Sequence, residues 1–221
     1  MDPYYLLVFV HVLLFVYWLG ADLGVFVLAR GAMNPAYSFE QRAVMLKFAN
    51  YIDLTPRLSF ALIFPVGLHM AQHNGLVDTP DWVFGVLWAI AIVWSLATIA
   101  MFRLEGKPAA ATIAKALFVW QSIMFFAATW LGLYSMATGG PFATQWLSLK
   151  VVIFGLIFGA GIGIDRSFQP LVPAFGRLAQ EGSTPEIEAT IRRTVNTTCA
   201  FVILIYVLVG GAAFLGVAKP F

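Results

Sequence analysis

The chain contains three histidines, and each lies within or beside a long apolar run. His11 follows Tyr4 by seven residues, and His69 precedes Gln72 by three, near the end of the second run. At about 1.5 Å per residue, antiparallel neighbouring helices place both imidazoles in the same half of a bilayer, within about one turn in depth. Two neutral imidazoles that face each other can ligate a haem iron or contribute to a copper site. Interhelical hydrogen bonds are the simpler alternative.

Further side chains near this depth can complete a cofactor site. His73 follows His69 by four residues on nearly the same helix face, one turn closer to water. Met70 and Met136 offer thioether ligands that suit copper, although scattered methionines usually serve packing. Lys150 stands four residues into the fifth apolar run. Its ammonium group either snorkels to water or pairs with an anionic group such as a haem propionate.

A second group of polar residues is expected deeper in the membrane. Asp22 follows His11 by eleven residues. Arg57 precedes His69 by twelve residues, so the register that aligns the histidines also brings these opposite charges to a similar depth. Asp53, one helical turn from Arg57, can share the pair. An ion pair at this depth is most simply structural, and a proton path is the alternative.

The composition identifies the environment of these residues. Only 11% of the 221 residues are charged, and 61% are hydrophobic. Soluble domains carry about 25% charged residues, so the sequence predicts an integral membrane protein. The net charge of +2 and the dispersed basic residues argue against a nucleic-acid partner. A single cysteine, Cys199, excludes an intramolecular disulfide and a thiolate-held iron–sulfur cluster within the chain.

Six apolar runs are long enough to cross a membrane, since about 20 helical residues span a hydrocarbon core of ~30 Å. They cover residues 4–28, 53–72, 82–102, 113–137, 146–164 and 199–217. Pro56 and Pro65 interrupt the second run, which fits a helix that faces the bundle interior. We expect residues 1–221 to form one all-α domain, a bundle of six transmembrane helices.

The basic residues predict the orientation of this bundle. Eleven of the 13 Lys and Arg residues lie at or near the ends of the first, third and fifth runs, and only Lys150 and Lys219 lie toward the other side. The positive-inside rule then predicts an N-out/C-out topology, with both termini in the periplasm of a bacterial inner membrane. In the connection 165–196, Thr184 and Pro185 indicate a helix start on the membrane surface.

Small residues recur at four-residue spacing in two of the runs. Gly155, Gly159 and Gly163 lie in the fifth run, and Gly20 and Gly24 lie in the first. Such spacing lets helices approach closely, and it equally makes room for a flat macrocycle.

The order of several residues resembles that of a known superfamily. The residues that carry the likeness are His11, Trp18, Gly20, Arg30, Thr55, Pro56, Gly67, Trp146, Leu147 and Lys150. They resemble the loose superfamily of small bacterial membrane proteins that includes the HemJ-type protoporphyrinogen oxidases and the CopD-like copper-resistance proteins. The HemJ type is a haem-b protein ligated by intramembrane histidines. The resemblance therefore implies that His11 is a haem ligand and that Lys150 lies close to the cofactor.

We therefore expect a haem-b protein that transfers electrons between a periplasmic partner and the membrane. His11 and His69 are the expected iron ligands, with Lys150, His73 and Trp18 beside the cofactor. If histidines fill both axial positions, the iron has no open site, and we expect an electron carrier rather than an oxygen-activating enzyme. Three alternatives stay open: a HemJ-like protoporphyrinogen IX oxidase, a CopD-like copper-handling protein, and a cofactor-free subunit of a larger complex.

Overall fold

The structure, a computed structural model, describes residues 2–77 and 79–221, which form seven helices and no strand. The helices are α1 Pro3–Ala32, α2 Phe39–His73, α3 Asp81–Arg103, α4 Pro108–Thr138, α5 Gln145–Phe168, α6 Leu171–Glu181 and α7 Pro185–Ala218. All of them except the short α6 belong to segments long and apolar enough to cross a membrane. The predicted all-α bundle of six transmembrane helices is confirmed.

The second transmembrane helix begins much earlier than the sequence predicted. It starts at Phe39, where the Ser38 hydroxyl accepts a hydrogen bond from the Gln41 amide at 3.3 Å, and the Gln41 side chain accepts one from the Ser38 amide at 2.9 Å. This capping box satisfies two amide groups at the helix start. The helix then runs through Pro56 and Pro65. Its 35 residues extend about 52 Å, so its first turns project beyond the hydrocarbon core.

The last helix also begins early. The helix start predicted near Pro185 is confirmed, with the Thr184 hydroxyl accepting a hydrogen bond from the Ile187 amide at 3.3 Å. However, α7 continues from there into the sixth span, so the helix that starts at Pro185 is not a separate surface helix. The surface helix is instead α6, which packs against α7 through Leu171 and Leu178.

Each transmembrane helix packs against the next in sequence, and α7 packs against both α5 and α1. The ring of Phe60 on α2 lies near the centre of the bundle, with its centroid 4.8 Å from Trp18, 4.6 Å from Phe158 and 5.3 Å from Trp94. We call the end of the bundle that carries α6 and the loops 33–38 and 104–107 the basic end. The opposite end, where α2 finishes, is the histidine end.

The glycines of α5 serve close helix packing. A Cβ atom on Gly132 of α4 would lie 2.7 Å from the Val152 backbone nitrogen, and one on Gly155 would meet the backbone of Thr129. The space beside Gly159 holds the Phe125 ring. Protein atoms therefore occupy the space beside Gly155 and Gly159, where the sequence alone also left room for a flat macrocycle.

Candidate functional site

His11 lies on the face of α1 that contacts α2. Its ring packs on Gly67, where a Cβ atom would lie 2.9 Å from the imidazole Cε1. The His11 Nδ1 atom is buried and makes no hydrogen bond of good geometry within residues 2–77 and 79–221, although the ring lies close to the Ile63 backbone of α2. Lys150 is within electrostatic range of His11, and its Nζ would be 2.8 Å from a Cβ on Gly216 of α7. The structure therefore packs His11 against α2 and Lys150 against α7, with the two side chains in electrostatic range of each other.

His69 faces a different helix. Its Nδ1 atom accepts a hydrogen bond from the Trp88 indole at 3.1 Å, and its ring stacks on Phe84 with the centroids 4.4 Å apart. Both partners belong to α3. Two residues separate His69 from Gly67, which rotates it about 200° around α2 from the side that His11 contacts. The structure therefore does not bring His11 and His69 together.

This geometry decides whether a haem fits between the two histidines. Axial ligation by both requires the two imidazoles to face one point, whereas they lie on opposite sides of α2. The Trp88 hydrogen bond also occupies Nδ1 of His69, which places the proton of the neutral ring on Nε2. The residues do not fit a bis-histidine haem. Across the two described ranges, no three His, Cys, Asp or Glu side chains converge as a metal site.

The other expected cofactor residues are dispersed. His73 stacks on Tyr4 at 5.1 Å, with its Nε2 atom 3.6 Å from the Asp2 carboxylate at the exposed histidine end. Trp18 lies seven residues beyond His11, about 10 Å farther along α1, and is buried against Phe60. Trp18 therefore belongs to the interior of the bundle rather than to the surroundings of His11.

The deeper ionisable residues form a second group, and here the predicted pairing changes. Arg57 forms an ion pair with Asp53, with Nε 2.6 Å from Oδ2, and none with Asp22 among the residues that the structure describes. Asp53 is favoured because residues four apart on one helix face each other. Asp22 stays within electrostatic range of both Asp53 and Arg57. Its carboxyl group lies beside the buried hydroxyl of Tyr206, but the two groups do not form a hydrogen bond of good geometry.

Two members of this group were missed at the level of sequence. Asp165 of α5 accepts a hydrogen bond from the Gln121 side chain of α4 at 3.3 Å and lies within electrostatic range of Arg57. Asp165 directly follows the fifth apolar run, and the sequence predicts the connection 165–196 to start there. Gln121 is a polar residue within the fourth apolar run, so the sequence alone was enough to identify it as a candidate.

A cavity of about 840 Å³ connects these side chains to the basic end. We call it the acidic cavity. It lies between α1, α2, α5 and α7 and reaches the inner side of α6. Its deep part is lined by Asp22, Asp53, Arg57, Asp165, Trp18 and Phe60. Arg57 is 39% exposed although it lies inside the bundle, because it borders this space.

No protein family, characterised protein or solved structure matches the chain. The function is therefore inferred from the charge and shape of the site. In the deep part of the acidic cavity, three carboxylates face a single guanidinium group, and Asp53 already holds that group. Ionised Asp22 and Asp165 then carry negative charge that no cation among the described cavity residues pairs with.

Proposed function

We propose that the protein is a multi-pass transporter of a bacterial inner membrane that binds a cationic organic solute in the acidic cavity. The observation that supports this proposal is the excess of carboxylates inside the membrane. Ionisable residues at this depth are costly, and they mark ion or substrate pathways. Asp22 and Asp165 attract a positive charge from the basic end, where the cavity reaches Lys47 and Glu105.

The size and lining of the cavity favour an organic cation over a metal ion. A volume of about 840 Å³ lies within the range of ~300–1,000 Å³ that small-molecule sites occupy. The Trp18 and Phe60 rings pack at a tilt of 39° with their centroids 4.8 Å apart, and both line the cavity, as the carboxylates do. A cation over an aromatic face is attracted by its quadrupole, and the attraction grows when water is excluded.

Protons take the place of the solute when the cavity is empty. Unpaired carboxylates in a poorly solvated site are costly, so we expect protons to neutralise part of the charge. A bound cation supplies that charge instead and releases the protons. Binding is therefore coupled to proton exchange, which is the basis of a proton-driven antiporter.

Binding of ethidium to the purified protein in detergent tests this proposal. We expect saturable binding by fluorescence anisotropy, with proton release in weakly buffered solution. Asp22→Asn and Asp165→Asn should each weaken binding at least tenfold, since each removes one attractive charge from a poorly solvated site. The matched control is Asp81→Asn, an exposed acid at the histidine end. Equal affinities for all four proteins would contradict the proposal.

A second candidate function follows from His11. Its buried Nδ1 atom makes no hydrogen bond of good geometry within the described residues, its ring lies against Gly67, and Lys150 acts on it electrostatically. If a haem binds here, His11 would hold its iron and Lys150 would meet its propionates. The haem would supply electron-transfer or oxygen chemistry. This arrangement replaces the bis-histidine ligation expected from the sequence.

The absorbance spectrum of the purified protein tests this second function. A Soret band that His11→Ala removes and His69→Ala retains would support a single-histidine haem, and carbon monoxide should shift that band strongly. Loss of the band in both variants would restore the bis-histidine prediction. A protein that shows no Soret band after expression with added haem precursor would exclude this candidate and leave the transporter proposal unaffected.

A further inference from the structure

A second cavity of about 740 Å³ lies on the other side of Arg57, between α2, α3, α4 and α5. We call it the basic cavity. It is lined by three cationic side chains, Arg57, Lys115 and Arg166, against the single described carboxylate of Asp165. Its charge is therefore opposite to that of the acidic cavity. An anion, rather than a cation, is the ligand that it attracts.

Two tryptophans, Trp120 and Trp94, form an aromatic part of the wall of the basic cavity. The indole nitrogen of Trp120 is buried and has no partner within residues 2–77 and 79–221. Its ring packs edge-on against Trp94 with the centroids 6.1 Å apart, so the side chain is held in place. Trp120 therefore forms a fixed part of the cavity wall.

The position of the basic cavity identifies the source of the anion. Lys115 and Arg166 lie in the half of the bundle nearer the basic end, and side chains of this length can extend toward the lipid headgroups at that end. The neighbouring surface of α4 is apolar and faces outward, with Val119 57% exposed. Val119, Leu117 and Phe118 also line the cavity, so it combines a basic opening with an apolar wall. Basic pockets between transmembrane helices are a known mode of binding for anionic lipid headgroups.

We propose that the basic cavity binds the phosphate group of an anionic phospholipid. Lys115 and Arg166 contact the phosphate oxygens, and the acyl chains lie along the outer face of α4. The Arg166 guanidinium already lies 5.5 Å from the centroid of the Phe118 ring, which holds its stem at the cavity wall. This site does not depend on the solute proposed for the acidic cavity.

Native mass spectrometry of the full chain in detergent, with added phosphatidylglycerol or phosphatidylcholine, tests the proposal. We expect phosphatidylglycerol to be retained and phosphatidylcholine to be lost. The double variant Lys115→Gln, Arg166→Gln should bind phosphatidylglycerol about 30-fold more weakly, from the usual contribution of two basic residues near a membrane surface.

The matched control is Arg103→Gln, Lys107→Gln, which removes two basic residues from the same end without touching the basic cavity. It should bind phosphatidylglycerol like the unaltered protein. An equal loss in both double variants would overturn the proposal, because the lipid would then respond to overall charge alone. Equal retention of the two lipids would overturn it as well. Saturable binding of inorganic phosphate without lipid, lost in the first double variant, would replace the lipid by a soluble anion.

Discussion

Replacing Arg57 with glutamine removes the one guanidinium that faces the three carboxylates in the deep part of the acidic cavity. Breaking a fully buried ion pair costs about 3–5 kcal/mol, whereas an exposed pair contributes about 0–1 kcal/mol. The side chains of Arg57 and Asp53 are 39% and 23% exposed, because both line the acidic cavity. We therefore expect Arg57→Gln to lower the free energy of unfolding by about 2 kcal/mol, between these limits.

Asp22→Asn should behave in the opposite way. The Asp22 carboxylate has no ion-pair partner among the described residues, and it repels Asp53 across the cavity. The amide removes this repulsion, so the free energy of unfolding should stay unchanged or rise by less than about 1 kcal/mol. The double variant Asp22→Asn, Arg57→Gln should be more stable than Arg57→Gln alone, because fewer unpaired negative charges remain in the cavity.

Unfolding in mixed detergent and dodecyl sulfate micelles, followed by tryptophan fluorescence, measures all four free energies in one series. Refolding from the unfolded side establishes that the transition is reversible. The reasoning is refuted if Asp22→Asn destabilises the protein as strongly as Arg57→Gln and the double variant recovers stability. That pattern would mean that Arg57 pairs with Asp22, as the sequence alone predicted, and not with Asp53.

Three further predictions concern the scaffold. Arg42 is 1% exposed, and its guanidinium binds both Glu188 carboxylate oxygens at 2.7 and 3.0 Å. Arg42→Met should therefore lower the free energy of unfolding by about 3–5 kcal/mol in the same assay, and the double variant Arg42→Met, Glu188→Leu should regain part of it. Gly155→Ala should cost about 1–3 kcal/mol by pressing on the α4 backbone, while Gly20→Ala, which has open space beside it, should not destabilise. For the topology, a C-terminal alkaline phosphatase fusion should be active and a C-terminal fluorescent-protein fusion dark; the reverse would contradict N-out/C-out.

The transmembrane architecture could be predicted because the length of an apolar run measures the distance across a bilayer. The starts of α2 and α7 could not be predicted from the apolar runs, since the first turns of both helices are polar and project beyond the hydrocarbon core. Capping residues give better boundaries there. Ser38 with Gln41, and Thr184 before Pro185, mark both helix starts in the sequence itself.

The candidate site shows what residue spacing leaves undetermined. Counting residues along antiparallel helices predicts depth, and His11 and Lys150 do lie within electrostatic range of each other. Counting does not predict which neighbour a helix face meets. His69 lies two residues from the glycine that His11 contacts, and this offset alone turns it toward α3. For Arg57, a carboxylate one turn away on the same helix outcompetes one on another helix, because it needs no tertiary alignment.

The two cavities share one wall, formed by Arg57, Phe60, Gln121 and Asp165. The hydrogen bond from Gln121 to Asp165 joins α4 to α5 within this wall, and the pair of Arg57 with Asp53 holds the guanidinium toward the acidic side. A variant that alters one lining only should therefore affect one ligand only. Asp22→Asn should weaken ethidium binding and spare phosphatidylglycerol, and Lys115→Gln should do the reverse. Arg57→Gln should change both affinities, because its charge borders both cavities.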